Sequence, residues 1–463
     1  MKNIVILGAG FGGIRAAKEL DRKLGKIAVS SRGDGTPRND DEEKWRVILV
    51  DQNSFHVYYP KLFEEVLPQE KDRHAPTVVG TRDDENGKCT VSLHEILKGT
   101  GVEFLQAAVQ GIDFEARIVQ CSEGDALSFE YLILALGADA DYFGIPGLKE
   151  NAVVLRSLQD AKKIREKVEE FLKKICHPEE RSDEGSLANA SHAHSDEILR
   201  AAQNDKFEVI IGGAGATGVE LAASLAYQFR DIEKSKWSVT IVEALPRVLS
   251  MFPNGLSQYA HRRLEKLGVH LMLDTCIKEV KEGGEVILVP RPLKPGESED
   301  TLLCDFLPEH EKRMFPDLLL WTGGVAANSL LEKCGMPTDK KGRVEVDGHM
   351  AVKGMEGIFA IGDNALLIDP MTKQPVPGTA QAALAEAEIA AKNILASIRG
   401  KTLVRYAFPK FSAIVPLAGR DCVALFQMRV IKGLPAWLLR QAADCRYFAS
   451  ITGWYRAVKK CIL

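Results

Sequence analysis

The sequence predicts an α/β protein made of two parallel-sheet units, the second inserted in the first, with a C-terminal segment beyond them. Three observations predict it. Strand-like and helix-like stretches alternate along most of the chain. A glycine-rich turn follows an apolar strand at the N-terminus, in ILGAGFGGIRAAKEL (6–20). The same design returns at 210–221, IIGGAGATGVEL. Alternation of this kind gives parallel sheets covered by helices, because parallel strands need a helix-sized crossover.

Strands are predicted at 3–7, 47–51, 103–106, 131–135, 207–212, 238–242, 269–273, 317–321 and 357–361. Helices are predicted at 11–20, 157–175, 216–229, 255–267 and 379–398. Two stretches read as insertions, 21–45 and 176–206. The second is polar and nearly free of large apolar groups, so it has little surface to bury against its ordering entropy; a short helix at 196–203 is its one expected element. His177, His192 and His194 fall in it and read as solvated loop residues rather than metal ligands.

The bulk numbers narrow the function. The 463 residues suffice for two or three domains. A net charge of −4 leaves no basic footprint for nucleic acid. Apolar runs fall well short of the roughly 18 residues that span a bilayer. The apolar run Ile4 to Leu7 closes directly in a glycine turn, so no signal peptide is read. The nine cysteines include no CxxC pair, which argues against a zinc ribbon or a thioredoxin-type centre. No metal site is expected.

Gly8, Gly10 and Gly13 form GxGxxG between strand and helix. The first glycine allows the tight turn, the second lets backbone approach a pyrophosphate, and the third lets helix pack on strand. The N–H groups at the helix start favour phosphate. Asp51 ends the next strand, 38 residues after Gly13; the usual spacing is about 20, and the 21–45 insertion accounts for the excess. A carboxylate there accepts ribose hydroxyls. Gly213, Gly215 and Gly218 repeat the pattern, and Glu243 ends the following strand 25 residues after Gly218. That carboxylate favours NADH over NADPH, while Arg247, four residues on, argues the other way. Two cradles imply two dinucleotides. A resident flavin and a visiting nicotinamide make a chemical pair, since hydride passes from one to the other. The fold class is therefore α/β with two Rossmann-like dinucleotide-binding domains, for FAD and NADH.

The two glycine motifs, LILALGA (132–138) and GIFAIGD (357–363) resemble the two-dinucleotide-fold flavoprotein reductases. DQNSFHVYYPKLFEEV (51–66), YLILALGADADYFGIPGL (131–148), VLRSLQDAKKIREKV (154–168) and LLLWTGGVAANSLL (318–331) narrow the resemblance to type II NADH dehydrogenases, the single-subunit NADH:quinone oxidoreductases. It covers most of 1–400. It implies that Asp363, with Gly362 before it, binds the flavin ribityl chain and that Gly137 lies beside FAD. It implies that Pro60 and Leu62 line the flavin entrance. It places Glu220 near the nicotinamide and quinone region, and presents Gln381 at a helix start to orient quinone or relay protons. In AQAALA (380–385), Ala385 stands where the family has a second glutamine, so the identity of the acceptor stays open.

Residues 436–463 combine Trp437, Leu438, Tyr447, Phe448, Ile451, Trp454, Tyr455 and Val458 with Arg440, Arg446, Arg456, Lys459 and Lys460, against one acid, Asp444. Apolar and basic residues at helical spacing suit an interfacial helix on anionic lipid. The alternatives are a helix covering the flavin domain or a homodimer seam. The expected organisation is a FAD-binding domain from 1–150 and 316–400, an NADH-binding domain at 151–315, and a membrane-associating region at 401–463. The expected function is non-pumping NADH:quinone oxidoreduction, peripheral to the cytoplasmic face of the cell membrane. Alternatives are a sulfide:quinone oxidoreductase, which needs paired redox cysteines among Cys121, Cys176 and Cys334, a reductase of an iron–sulfur protein, and a flavin-bound redox sensor.

Overall fold

The computed structural model describes residues 1–30, 44–68, 89–122, 124, 126–176, 206–291, 310–408, 412–426 and 429–453, with backbone alone at 25–30 and 176. The expectations for His177, His192, His194, the helix at 196–203 and residues 454–463 lie outside these. The principal strands in chain order are β1 (Lys2–Leu7), β2 (Trp45–Asp51), β3 (Glu103–Gln106), β4 (Tyr131–Leu134), β5 (Val153–Val154), β6 (Phe207–Gly212), β7 (Trp237–Val242), β8 (Val269–Met272), β9 (Leu318–Trp321) and β10 (Ile358–Ala360). The long helices are α1 (Phe11–Ser30), α2 (Leu158–Cys176), α3 (Ala216–Gln228), α4 (Asn254–Leu267), α5 (Ala380–Ile398) and α6 (Leu434–Thr452).

The chain divides into two compact units. The first comprises Met1–Tyr58, Thr90–Asp139 and Val325–Pro409; the second comprises Tyr59–Cys89, Ala140–Gly324 and Lys410–Leu463. The first unit holds a parallel sheet in the order β10-β4-β1-β2-β3. Its central strand aligns Ile4 with Val47 on one side and with Tyr131 on the other. Ile4, Val5, Ile6 and Leu7 are fully buried, as a strand covered on both faces requires. The chain leaves β1 toward β2 and β3, then crosses to β4 and β10. The strand order thus reverses beside β1, and ligands of open α/β sheets bind at the carboxyl ends of strands at such a point.

The second unit repeats this plan in the order β5-β9-β6-β7-β8. Val209 and Ile211 of β6 align with Val239 and Ile241 of β7. One face packs on an antiparallel sheet of Thr275–Val280, Val286–Pro290 and Lys312–Met314, through Ile210, Val242, Ile277, Leu288 and Trp321. A second antiparallel sheet, Ala413–Pro416, Cys422–Phe426 and Arg429–Lys432, belongs to the same unit. Asp421 ties it to α4, accepting from the Tyr259 hydroxyl at 3.0 Å and facing the Arg263 guanidinium at 3.1 Å.

Two differences from the sequence expectation have local causes. Helix α1 runs to Ser30 rather than ending at residue 20, because no proline interrupts 21–30 and Gly25 alone is a weak breaker. The C-terminal helix does form, but its aromatic stripe turns inward: Tyr447, Phe448 and Ile451 are buried, as are Arg440 and Asp444. Burying those apolar rings against the unit is worth more than leaving them in water. Among the described residues of the set expected to face lipid, Arg440, Tyr447, Phe448 and Ile451 are therefore buried, while Leu438 and Arg446 are exposed.

Candidate functional site

The two cradles share one hydrogen-bond pattern. In the first, Gly8 N–H donates to Val50 O at 2.8 Å, and Ala9 N–H donates to Asp51 Oδ2 at 2.6 Å. In the second, Gly213 N–H donates to Val242 O at 2.8 Å, and Ala214 N–H donates to Glu243 Oε2 at 2.5 Å. The carbonyls are answered as well. His56 Nδ1 lies 3.1 Å from Ala9 O and donates to it, while Leu249 N–H donates to Ala214 O at 2.9 Å. Each turn residue between the first two glycines is thus fixed by the strand-end acid and by one further donor.

The glycines are required at these places. Gly8 and Gly213 hold φ of +103° and +101°, where a side chain is strained. A Cβ on Gly13 would fall 1.8 Å from Gly8 O, and one on Gly218 would fall 2.0 Å from Gly213 O. Gly10 and Gly215 face open space, with nothing within 4 Å of an added Cβ. Each cradle therefore has a tight helix–strand approach and a clear face over the helix start, which is the shape a pyrophosphate needs.

The remaining expected flavin residues of the first unit gather at the ends of β4 and β10. Gly137 N–H donates to Asn364 Oδ1 at 3.1 Å, and Asn364 Nδ2 returns a bond to Gly137 O at 2.9 Å. Asn364 is fully buried, so the LALGA turn is locked to the turn Gly362–Asn364. Asp363 lies within that turn, partly exposed. Gln381 is exposed in the first turn of α5, whose start is capped by Thr379 Oγ1 accepting from Ala382 N–H at 3.1 Å. His56 and Asn364 escaped the sequence reading; the HxY step after β2 and the Asn directly after GIFAIGD are the signals that could have found them.

Pro60 and Glu220 fall in the second unit, with the other cradle. Pro60 belongs to a 3-10 turn, Tyr59–Val66, in which Leu62, Phe63 and Val66 are buried. Arg440 of α6 holds this turn: its Nη2 donates to Pro60 O at 2.6 Å, its guanidinium lies 5.2 Å from the Phe63 ring centre, and it faces Glu64 at 3.5 Å and Asp444 at 3.6 Å. Lys61 faces Asp444 at 3.9 Å. Glu220, in the first turns of α3, is raised to about 8 chiefly by burial, although part of the residue still reaches solvent; Arg440 opposes that rise. Glu220 is consequently uncharged at neutral pH and ionises as pH climbs through about 8. Arg247, the residue that would favour a 2′-phosphate, turns its guanidinium to the carbonyls of Ser250 and Phe252 in its own loop.

Among the described residues the free cysteines are Cys89, Cys121, Cys276, Cys334, Cys422 and Cys445. Cys334 Sγ accepts from Ile112 N–H at 3.3 Å.

Twin cradles on two such sheets define the class: oxidoreductases that hold two dinucleotides on one chain. Residues 2–387 match the pyridine nucleotide-disulphide oxidoreductase family, and the chain belongs to it. The chain is similar along its length to the type II NADH:quinone oxidoreductase of Staphylococcus haemolyticus (strain JCSC1435), at 25% identity over 99% of this chain and 98% of the relative. It is 26% identical, over the same shares, to that of Staphylococcus aureus (strain NCTC 8325 / PS 47). Its fold is similar to NDH2 of Plasmodium falciparum solved with NADH, with a TM-score of 0.73, 18% identity and coverage of 100% and 97% of the two chains. The sulfide:quinone oxidoreductase of Aquifex aeolicus follows with a TM-score of 0.68, 17% identity and coverage of 98% and 92%.

Replacing Arg440 by Met keeps the bulk over Phe63 and removes the guanidinium that Asp444 faces at 3.6 Å. We expect a loss of about 3–5 kcal/mol in unfolding free energy, the cost of breaking a buried charge cluster, read from urea denaturation. A loss below about 1 kcal/mol, the value of a surface pair, would contradict the burial argument.

Proposed function

We propose that the chain is an FAD-dependent NADH:quinone oxidoreductase that does not pump protons. The observation that carries this reading is the repeated clamp of strand-end acid on turn amide, Asp51 on Ala9 and Glu243 on Ala214, in a chain alike from end to end to enzymes named for that reaction. Bound FAD would supply a ring that accepts hydride and gives up two electrons. Residues 1–150 with 316–400 serve FAD, and 151–315 serve NADH.

For FAD, Gly8, Gly10 and Gly13 bring backbone to the pyrophosphate at the start of α1. Asp51 Oδ1 accepts from both the backbone N–H and Nδ2 of Asn53, while Oδ2 accepts the Ala9 N–H and has the capacity to take a ribose hydroxyl. Asp363 and Gly362 hold the ribityl side, with Gly137 fixed beside them by Asn364. For NADH, Gly213, Gly215 and Gly218 repeat the phosphate contact, and Glu243 takes the adenosine ribose. Its charge repels a 2′-phosphate, and Arg247 is turned away from that task, so NADH is preferred over NADPH. Glu220 is protonated at neutral pH and acts as a proton donor toward the bound acceptor. Gln381 offers an exposed amide for orienting a quinone, and the carbonyl of Pro60 is pinned by Arg440.

Quinone calls for a membrane, and the same reading places the enzyme on the cytoplasmic membrane face. No described helix is long and apolar enough to cross a bilayer. Leu434 and Leu438, one turn apart on α6, are exposed, as are Phe426 and Val430 of the adjoining hairpin, with Arg429 and Lys432 between them. Apolar side chains rimmed by cations suit an anionic lipid surface.

Anaerobic NADH should bleach the flavin absorbance of the purified protein, and a soluble menaquinone analogue should restore it. Bleaching by sulfide but not NADH would transfer the assignment to sulfide oxidation; reoxidation by an iron–sulfur protein but not quinone would replace the acceptor; no reduction at all would leave a sensor. Leu434→Glu with Leu438→Glu should weaken sedimentation with phosphatidylglycerol vesicles by about tenfold per residue, given about 1.5–3 kcal/mol for burying each leucine. Unchanged sedimentation would remove this face from the membrane. A dimer by light scattering that the double variant dissolves would make it a homodimer seam instead.

A further inference from the structure

Glu386 stands behind the turn that the FAD reading assigns to the flavin. It lies in α5 and is 3% exposed. Its Oε2 accepts the Gly362 N–H at 2.6 Å. Gly362 sits at φ +64°, so this bond fixes the backbone at the point where the turn departs from ordinary geometry. The next residue, Asp363, is boxed from the other side: a Cβ on Gly378 would fall 2.4 Å from Asp363 Oδ1. The flavin turn is therefore held by two parts of one segment, the Pro-Gly-Thr lead into α5 and the buried acid one and a half turns inside it.

The setting raises the proton affinity of Glu386. No lysine, arginine or histidine pairs with it among the described residues, and its neighbour in charge is Asp363. Two carboxyls this placed do not both ionise cheaply, and the buried one takes the proton. Burial accordingly pushes Glu386 up to about 7, with Asp363 adding to the rise. A third group completes the site. Tyr406 is 5% exposed, and its hydroxyl is buried with no hydrogen-bond partner. It is delivered there because Asn393 of α5 binds the following segment, accepting Val404 N–H at 2.7 Å and donating to Val404 O at 2.9 Å. Burial, and then the Glu386 carboxyl, push Tyr406 up to about 12. The ionisable groups facing Glu386 from the packed elements are thus Asp363 and Tyr406. Helix α1, which packs along α5, presents Arg15, and that guanidinium is held by Glu388.

We propose that Glu386 is a positioning residue for the flavin, a buried acid that holds the Gly362–Asp363 turn through one backbone bond and whose proton is coupled to the charge on the flavin. This rests on the FAD assignment. A flavin that gains negative charge on reduction strengthens the hold of Glu386 on its proton, so the two equilibria are linked.

Two variants of the holoenzyme test it. Glu386→Gln retains an oxygen for the Gly362 N–H and should bind FAD as the wild type does. Glu386→Leu removes the acceptor and should raise the FAD dissociation constant about tenfold. The midpoint potential of the bound flavin, followed from about pH 6 to 9, should fall more steeply above about pH 7 in the wild type and lose that break in Glu386→Gln. Wild-type FAD affinity in Glu386→Leu, or an unchanged break in Glu386→Gln, overturns the role of Glu386 while leaving the FAD reading intact. A wild type that takes up no FAD overturns both.

Discussion

One backbone amide in each half of the molecule sets the rest. Where the first strand gives way to the glycine turn, the residue between the first two glycines presents an N–H that no strand or helix can receive. A buried donor without a partner costs about 1–3 kcal/mol. Both halves answer it with the carboxylate that ends the neighbouring strand, Asp51 for Ala9 and Glu243 for Ala214. The answer aims each acid at the mouth of the turn and fixes the turn's shape. On the proposed reading, structural need and ribose recognition fall to the same carboxylate, which is why the arrangement can be used twice in one chain.

The C-terminal helix is a second case of one group serving two ends. Arg440 lies among Pro60, Phe63, Glu64 and Asp444 and is 6% exposed. A buried cation of this kind contributes little net stability compared with apolar packing, and costs much when its partners are stranded. What it fixes is position: the Tyr59–Val66 turn is tied to α6 by a bond to its backbone. The same guanidinium opposes the rise of Glu220, so the helix that carries the exposed leucines also bears on the charge of the acid we assign to proton donation.

The sheets were legible from the sequence because their strands are nearly continuous apolar runs bounded by glycine. Ile4 to Leu7 and Val209 to Ile211 leave no other reading, and the acids Asp51 and Glu243 announce themselves by ending the next strand. The antiparallel sheets were not legible. Strands such as Val109–Asp113 and Ile118–Cys121 are short and mixed in character, and their pairing is decided by partners distant in sequence. Helix α6 was legible as a helix and only in part as a surface. Helical spacing reveals a stripe of aromatic residues, yet it does not say whether water, lipid or protein covers that stripe. Here protein covers Tyr447 and Phe448, and the lipid-facing candidates Leu434 and Leu438 lie at the start of the helix. Glu386 was invisible for a related reason: nothing local distinguishes a buried acid in an alanine-rich helix from a solvated one.

The central claim is that one chain holds two different dinucleotides in two separately specified cradles. Equilibrium dialysis with FAD and NAD⁺, on the wild type, Asp51→Ala and Glu243→Ala, tests it most directly. The account predicts one equivalent of each nucleotide on the wild type, selective loss of FAD from Asp51→Ala, and selective weakening of NAD⁺ on Glu243→Ala. A single equivalent of nucleotide in total on the wild type, or loss of the same nucleotide from both variants, would contradict it.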